Sequence, residues 1–295
     1  MIAVVTDTCA SLPAGLAKSL QIELVPYYIH RGNETLRDLV DIGPEEFFHW
    51  LPTADTLPTT ANPGPGDYLT AFTRAAERAD GIVSIHMTSK GSGAYQSGCI
   101  AQEMAQTELP GLPIEVIDTG QVSMVHGWAA IEAARAAQTG ADLSQVAAVA
   151  RHVAKTGWMI QTADTLKYLY MGGRIGRAQH LVGSLLNVKP LIGMEDGIII
   201  PLGQARSRSK AYTKMLDLMR ERSPVHIPIK IAITHVAAPE QAKILLEMVE
   251  QTFQCCESLI SELSPALGVH TGPGMVGVNF FPVPSTYDKP SRPGL

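Results

Sequence analysis

Cysteine is scarce and poorly placed for metal binding. The four thiols are Cys9, Cys99, Cys255 and Cys256, and the adjacent pair at 255–256 is a poor start for a zinc site. They read as reduced, mostly buried thiols of a cytoplasmic protein. The nine histidines include no HExxH and no pair at ligand spacing, so no dedicated metal site is expected. Charge is sparse as well: 17% of residues are charged, and the net charge is −5. A nucleic-acid binder carries a basic face, and here only the short stretch RSRSK at 206–210 is basic, so nucleic acid is not an expected partner. No apolar run approaches the roughly 18–20 residues of a membrane span. The opening stretch MIAVVTDTCASLP has no basic n-region and reaches Asp7 early, so it is not read as a secretory signal. Neither GxGxxG nor a P-loop is found, and GSGAY at 91–95 misses the frame of a GxSxG nucleophile elbow.

What the chain does have is alternation. Of its 295 residues 45% are hydrophobic, enough for two cores and too many for a disordered chain. IAVV (2–5), IELVPYYI (22–29), GIVSIHM (81–87) and IEVID (114–118) read as strands, and 65–79, 92–108 and 123–139 as helices. That order predicts an α/β/α unit on a parallel sheet over residues 1–155, with ligands collecting at the carboxyl ends of its strands. After a helix at about 142–155 the pattern changes. A strand at 158–163 leads to helices near 164–170 and 175–186. KPLIGME (189–195) and IIIPLGQA (198–205) then pair across an Asp196-Gly197 turn. A helix at 207–221, a strand at 229–236, a helix at 239–253 and strands near 257–263 and 275–281 complete an α+β unit with a mixed sheet over 156–284. The proline-rich residues 285–295 read as a tail.

Four stretches hold the groups that do chemistry. In TDTCASLP (6–13) the Asp7 carboxylate is expected to cap backbone amides, with Ser11 as N-cap of a helix starting at Pro13. In TTANPGPGDY (59–68), Thr59 and Thr60 precede a turn: they satisfy their own backbone or project a hydroxyl into a site. SKGSGAYQSG (89–98) sets Ser89, Ser92 and Ser97 where a helix begins, a place suited to simple capping or to a carboxylate or phosphate. GVHTGPGMVGV (268–278) places His270 among four glycines, either in an ordinary tight connection or at the mouth of a cavity. MGGRIGRA (171–178) follows a helix pattern rather than a strand, and its double glycine reads as a helix stop.

Read in order, VVTDTCASLP, LPTTANPGPGDY, SKGSGAYQSG, VIDTGQVSMVHG, TLKYLYMGGRIGRA, NVKPLIGMEDGII with ARSRSKA, and GVHTGPGMVGV resemble the DegV family of bacterial fatty-acid-binding proteins, which includes the FakB-type subunits of fatty acid kinase. The resemblance spans residues 2–280. It implies a two-domain protein that holds one long-chain fatty acid between its domains, without cofactor or metal. Such a protein presents the carboxylate to a separate kinase subunit for acyl-phosphate formation and allows transient membrane contact. In the family's pattern the carboxylate is held by residues matching Thr60, Ser92 and His270. The arginine matching Arg206 is linked to the entrance and the kinase partner. The family's TSQ stretch reads Thr60-Ala61-Asn62 here, and its SGTYQ stretch reads Ser92-Gly93-Ala94-Tyr95-Gln96; both keep the hydroxyl. No catalytic residue of its own is expected. The alternative from the residues alone is a serine hydrolase of acyl esters, with Ser92 as nucleophile and His270 as base.

Overall fold

The computed structural model describes residues 1–184 and 188–283. The chain begins with β1 (Ile2–Asp7), α1 (Ala14–Ser19) and β2 (Glu23–Val25). A small hairpin, β3 (Tyr28–Arg31) and β4 (Glu34–Arg37), leads to α2 (Pro44–Trp50) and β5 (Thr59–Ala61). Then come α3 (Pro65–Ala76), β6 (Gly81–His86), α4 (Ala94–Glu108), β7 (Ile114–Asp118), α5 (Ser123–Gln138) and α6 (Leu143–Thr156). The second half contains β8 (Trp158–Thr162), α7 (Lys167–Met171), β9 (Lys189–Glu195), β10 (Ile198–Ala205) and α8 (Arg208–Arg222). It closes with β11 (Ile229–His235), α9 (Pro239–Glu250), β12 (Cys255–Glu262), α10 (Pro265–Thr271) and β13 (Val276–Pro282).

Three sheets result. The first is parallel, in the order β2-β1-β6-β7. The second is mixed, β10-β9-β8-β13-β11-β12, with only β11 and β12 parallel, and the third is the antiparallel trio β4-β3-β5. Alternating side chains sort the first sheet's two faces. Ala3, Val5 and Ile82 pack under α3 and α4, while Val4, Val83 and Ile85 pack under α5 and α6. The core around α5 and α6 also takes in Ala232 of β11 and Phe281 of β13, so these two helices lie between both large sheets. That explains why α5 is buried nearly all round and rich in alanine: small side chains let two sheets approach one helix. The far face of the second sheet is covered by α8 and α9.

Most expected elements stand where the residues placed them. The Asp196-Gly197 turn has φ of 51° and 73° at its two residues, the doubly positive geometry a two-residue hairpin needs. The run 22–29 divides at Pro26, which has no N–H for a ladder; β2 stays in the first sheet and β3 joins the third. The helix expected over 175–186 is a 3-10 run over Gly176–Ser184, and its last two residues lie outside the described ones. The expected tail at 285–295 also lies outside them. Ser11 does not cap α1. It takes φ 50°, and its Oγ accepts from the amide of Ser264, a contact 253 residues away that local sequence cannot signal. The glycine-rich stretch around His270 is helix α10 followed by a turn, rather than a loop throughout.

Gly268 shows why α10 needs its glycine. A Cβ there would collide with the ring of Phe48 on α2, which is 4% exposed and held in the core. Gly268→Ala is therefore expected to cost about 1–3 kcal/mol and to lower the melting temperature by several degrees. A thermal melt that matches wild type would show that α2 and α10 can part freely.

Candidate functional site

The loops at the carboxyl ends of the first sheet face β8, β9 and β10 of the second, and between them lies a cavity of about 400 Å³. Three polar groups of its wall come from separate segments. Thr60 sits in β5, opposite Ile29 of β3, and its strand pairing fixes the direction of the hydroxyl. Ser92 lies in the turn entering α4, where its Oγ accepts from the amide of Ala94 (3.3 Å) and shares a 2.7 Å hydrogen bond with the Tyr27 hydroxyl. Gly93 is the N-cap of α4 and no side chain caps it, so Ser92 lines the cavity one residue ahead of the cap.

His270 occupies the last turn of α10. That helix is started by Pro265 and by Ser264, whose Oγ accepts from the amide of Leu267. Asp38 holds it to the turn after β4 by accepting from the amide of Ala266 (3.3 Å). Two glycines shape the slot for the imidazole. Any Cβ at Gly172 would collide with Nδ1, and Gly272, at φ 71°, leaves room for the ring of Tyr168. Nε2 meets Thr60 Oγ1 at 2.9 Å across 210 residues of sequence. Burial, with Arg174 nearby, pushes the imidazole pKa down to about 4. The ring is therefore neutral at pH 7 and has one N–H to give. If Nε2 donates to Thr60, the threonine hydroxyl is left free to donate into the cavity.

Thr60, Ser92 and His270 all line this one cavity; Arg206 does not. Arg206 is exposed just beyond β10, whose opposite end, Ile198 and Ile199, forms part of the wall. The cations in the wall are Lys90 and Arg174, the second from the stretch read as a helix stop. Sequence reasoning also passed over Tyr27, which is 4% exposed, lines the cavity and carries the partner of Ser92. No local pattern marks it, because the contact joins positions 65 residues apart. Asp7 does the capping job expected of it, accepting from the amide of Cys9 at 2.9 Å.

Much of the wall that the second half contributes is apolar: Met159, Leu169, Ile192, Met194, Ile198 and Ile199 line the space. A volume near the lower end of ordinary ligand sites, roughly 300–1,000 Å³, with both polar and apolar groups in its wall, suits a slender amphiphile. The hydrogen-bonded serine–histidine pair of a hydrolase is not assembled here. Ser92 is bonded to Tyr27 and His270 to Thr60, and His270 Nδ1 is buried without a partner, so neither the serine–histidine bond nor an orienting carboxylate is in place. Among the described residues no group of three or more His, Cys, Asp or Glu is arranged to hold a metal. No helix of the described residues is long and apolar enough to cross a membrane.

Known proteins share this architecture. A DegV domain-containing protein of Streptomyces coelicolor is 35% identical over 279 residues, covering 94% of this chain and 97% of the relative. The structure of a DegV family protein from Thermus thermophilus, described for its fatty acid binding, superposes with a TM-score of 0.89 at 30% identity, over 96% of this chain and 99% of that one. DegV of Bacillus subtilis, described as a fatty acid binding protein, gives 0.84 at 27% identity, over 96% and 99%. The family model for DegV, whose members it describes as uncharacterised, matches residues 1–283, and with these relatives it establishes that the chain belongs to the DegV family.

Proposed function

We propose that this protein holds one long-chain fatty acid in the cavity between two units, residues 1–155 and 156–284, with its carboxylate against Thr60, Ser92 and His270. One observation carries the reading: a single cavity joins uncharged donors from three separate segments to an apolar wall contributed by the second sheet. A buried carboxylate needs donors, since leaving it unpaired is very costly. Two hydroxyls and an imidazole provide them. The tail supplies most of the affinity: at about 0.8 kcal/mol per methylene, a chain of about fifteen contributes roughly 12 kcal/mol before ordering costs. The polar end sets orientation.

Held in this way, the carboxylate is a substrate for a separate kinase subunit that makes the acyl phosphate, and this chain serves as the carrier. Arg206, exposed and away from the ligand, is available to that partner. Native mass spectrometry of gently purified protein should show a bound fatty acid, and delipidated protein should take up oleic or palmitic acid. Acyl phosphate should form only when the partner kinase and ATP are added. Protein that neither carries nor takes up a fatty acid would refute the carrier reading. Ester turnover lost in Ser92→Ala would replace it with the hydrolase.

A further inference from the structure

We propose that Tyr27 is a positioning residue of this site: its hydroxyl donates to Ser92 Oγ and so commits the serine's own proton to the carboxylate of the guest. This rests on the fatty-acid reading above and explains how Ser92 becomes a donor. A serine hydroxyl has one proton to give and two lone pairs to fill, and free in a cavity it can turn either towards a guest. An ionised carboxylate only accepts, so a lone pair turned towards it is repelled.

Two neighbours fill both lone pairs of Ser92. The Ala94 amide donates to Oγ at 3.3 Å, and the Tyr27 hydroxyl lies 2.7 Å from it. The phenol is the more acidic hydroxyl of that pair and the better donor. Turned the other way, Tyr27 would have to give its proton to the Cys9 thiol beside it, a weak acceptor. With the phenol donating, Ser92 Oγ accepts twice, and its own hydrogen is left for the cavity that it lines.

The fold holds Tyr27 in place for this contact. Its amide donates to Thr8 Oγ1 at 3.2 Å and its carbonyl accepts from the amide of Asp38 at 2.8 Å. The backbone is thereby tied both to the 3-10 turn Thr8–Ala10 and to the turn after β4. The side chain belongs to the core that also contains Val25, Ile29 and Tyr68. Burial, with Cys9 and Asp7 nearby, pushes the phenol pKa well up, so the hydroxyl keeps its proton. A donor fixed on a buried ring is set before the guest arrives, which spares an ordering cost on binding.

The test is a double-mutant cycle on the delipidated full chain at pH 8, read by displacement of a fluorescent fatty acid with palmitic acid. Tyr27→Phe keeps the ring and should weaken palmitate binding about five- to tenfold. In the Ser92→Ala background the same change should cost less than about twofold, because the phenol then has no serine to aim. 3-Fluorotyrosine at position 27 keeps the hydroxyl and serves where Tyr27→Phe does not fold. Its more acidic phenol should tighten palmitate binding about twofold through the same chain of hydrogen bonds. Equal losses in both backgrounds, no loss in Tyr27→Phe, or weaker binding with the fluorotyrosine overturns this inference and leaves the carrier reading intact. Failure of wild type to bind any fatty acid overturns both.

Discussion

Replacing His270 by alanine should weaken fatty-acid binding about 10- to 100-fold, the loss expected when a charged acceptor is deprived of one donor. The substitution also strips Thr60 of its 2.9 Å partner, so the threonine hydroxyl loses the contact that aims it. Thr60→Val should act in the same direction. Cys9→Ala is the control. Cys9 lines the same cavity, but burial pushes its thiol pKa well up, so it stays a neutral, weak donor. Its removal should change affinity by no more than about threefold. Equal losses for His270→Ala and Cys9→Ala would remove His270 from the head-group site. pH gives a second readout. The free imidazole, at about 4, is neutral near pH 7, and a carboxylate bound beside it raises its pKa. Binding therefore takes up protons through His270, and this contribution to affinity strengthens as pH falls through the raised bound-state pKa towards the free value of about 4. His270→Ala should lose that part of the pH dependence.

The scaffold was far more legible in the sequence than the site's wiring. Strands such as IAVV and GIVSIHM are short β-branched runs buried on both faces, a signal that survives without any partner in view. The Asp196-Gly197 turn was equally clear, because its chemistry is local. The third sheet was missed: β4 and β5 are short and largely exposed, so neither carries an apolar pattern, and β3 is separated from its apparent run by Pro26. The same holds for the site. Thr60, Ser92 and His270 came from motifs that a family resemblance made readable, and the structure brings them to one cavity. Tyr27, Arg174, Ser123 and Gln161 line that cavity too, but no local pattern in the sequence marks them for it. Arg206, which the resemblance links to the entrance and the partner rather than to the carboxylate, does not line the cavity.

Asp7→Asn should gain stability over wild type as pH rises, by about 3 kcal/mol between pH 5 and pH 8. The carboxyl is fully buried at the end of β1, ahead of Cys9 and Tyr27 in the cavity wall. Burial is the main reason its pKa rises from 3.8 to about 7, with the nearby Asp38, itself raised by burial to about 6, adding to the effect. Between those limits the native protein keeps a proton that the unfolded chain has released. The contribution of Asp7 to wild-type stability therefore falls as pH climbs from about 4 to about 7, then levels off. Asparagine carries no such proton. It keeps the oxygen that accepts from the Cys9 amide, and it places its N–H₂ where Asp7 Oδ2 has no partner, a cost that is the same at every pH. The buried histidines work in the opposite sense. His86 and His126 are pushed down to about 3 and about 4, again chiefly by burial, so the unfolded chain gains protons first and stability falls as pH drops below 6.5. Because wild type and variant share them, they cancel in the difference, while their opposition to the two aspartates flattens the wild-type profile between pH 4 and 6.5. Urea melts of both proteins at pH 5 and pH 8 provide the comparison. A stability gap that is the same at both pH values would mean that Asp7 is ionised in the folded protein throughout, held by donors other than the Cys9 amide.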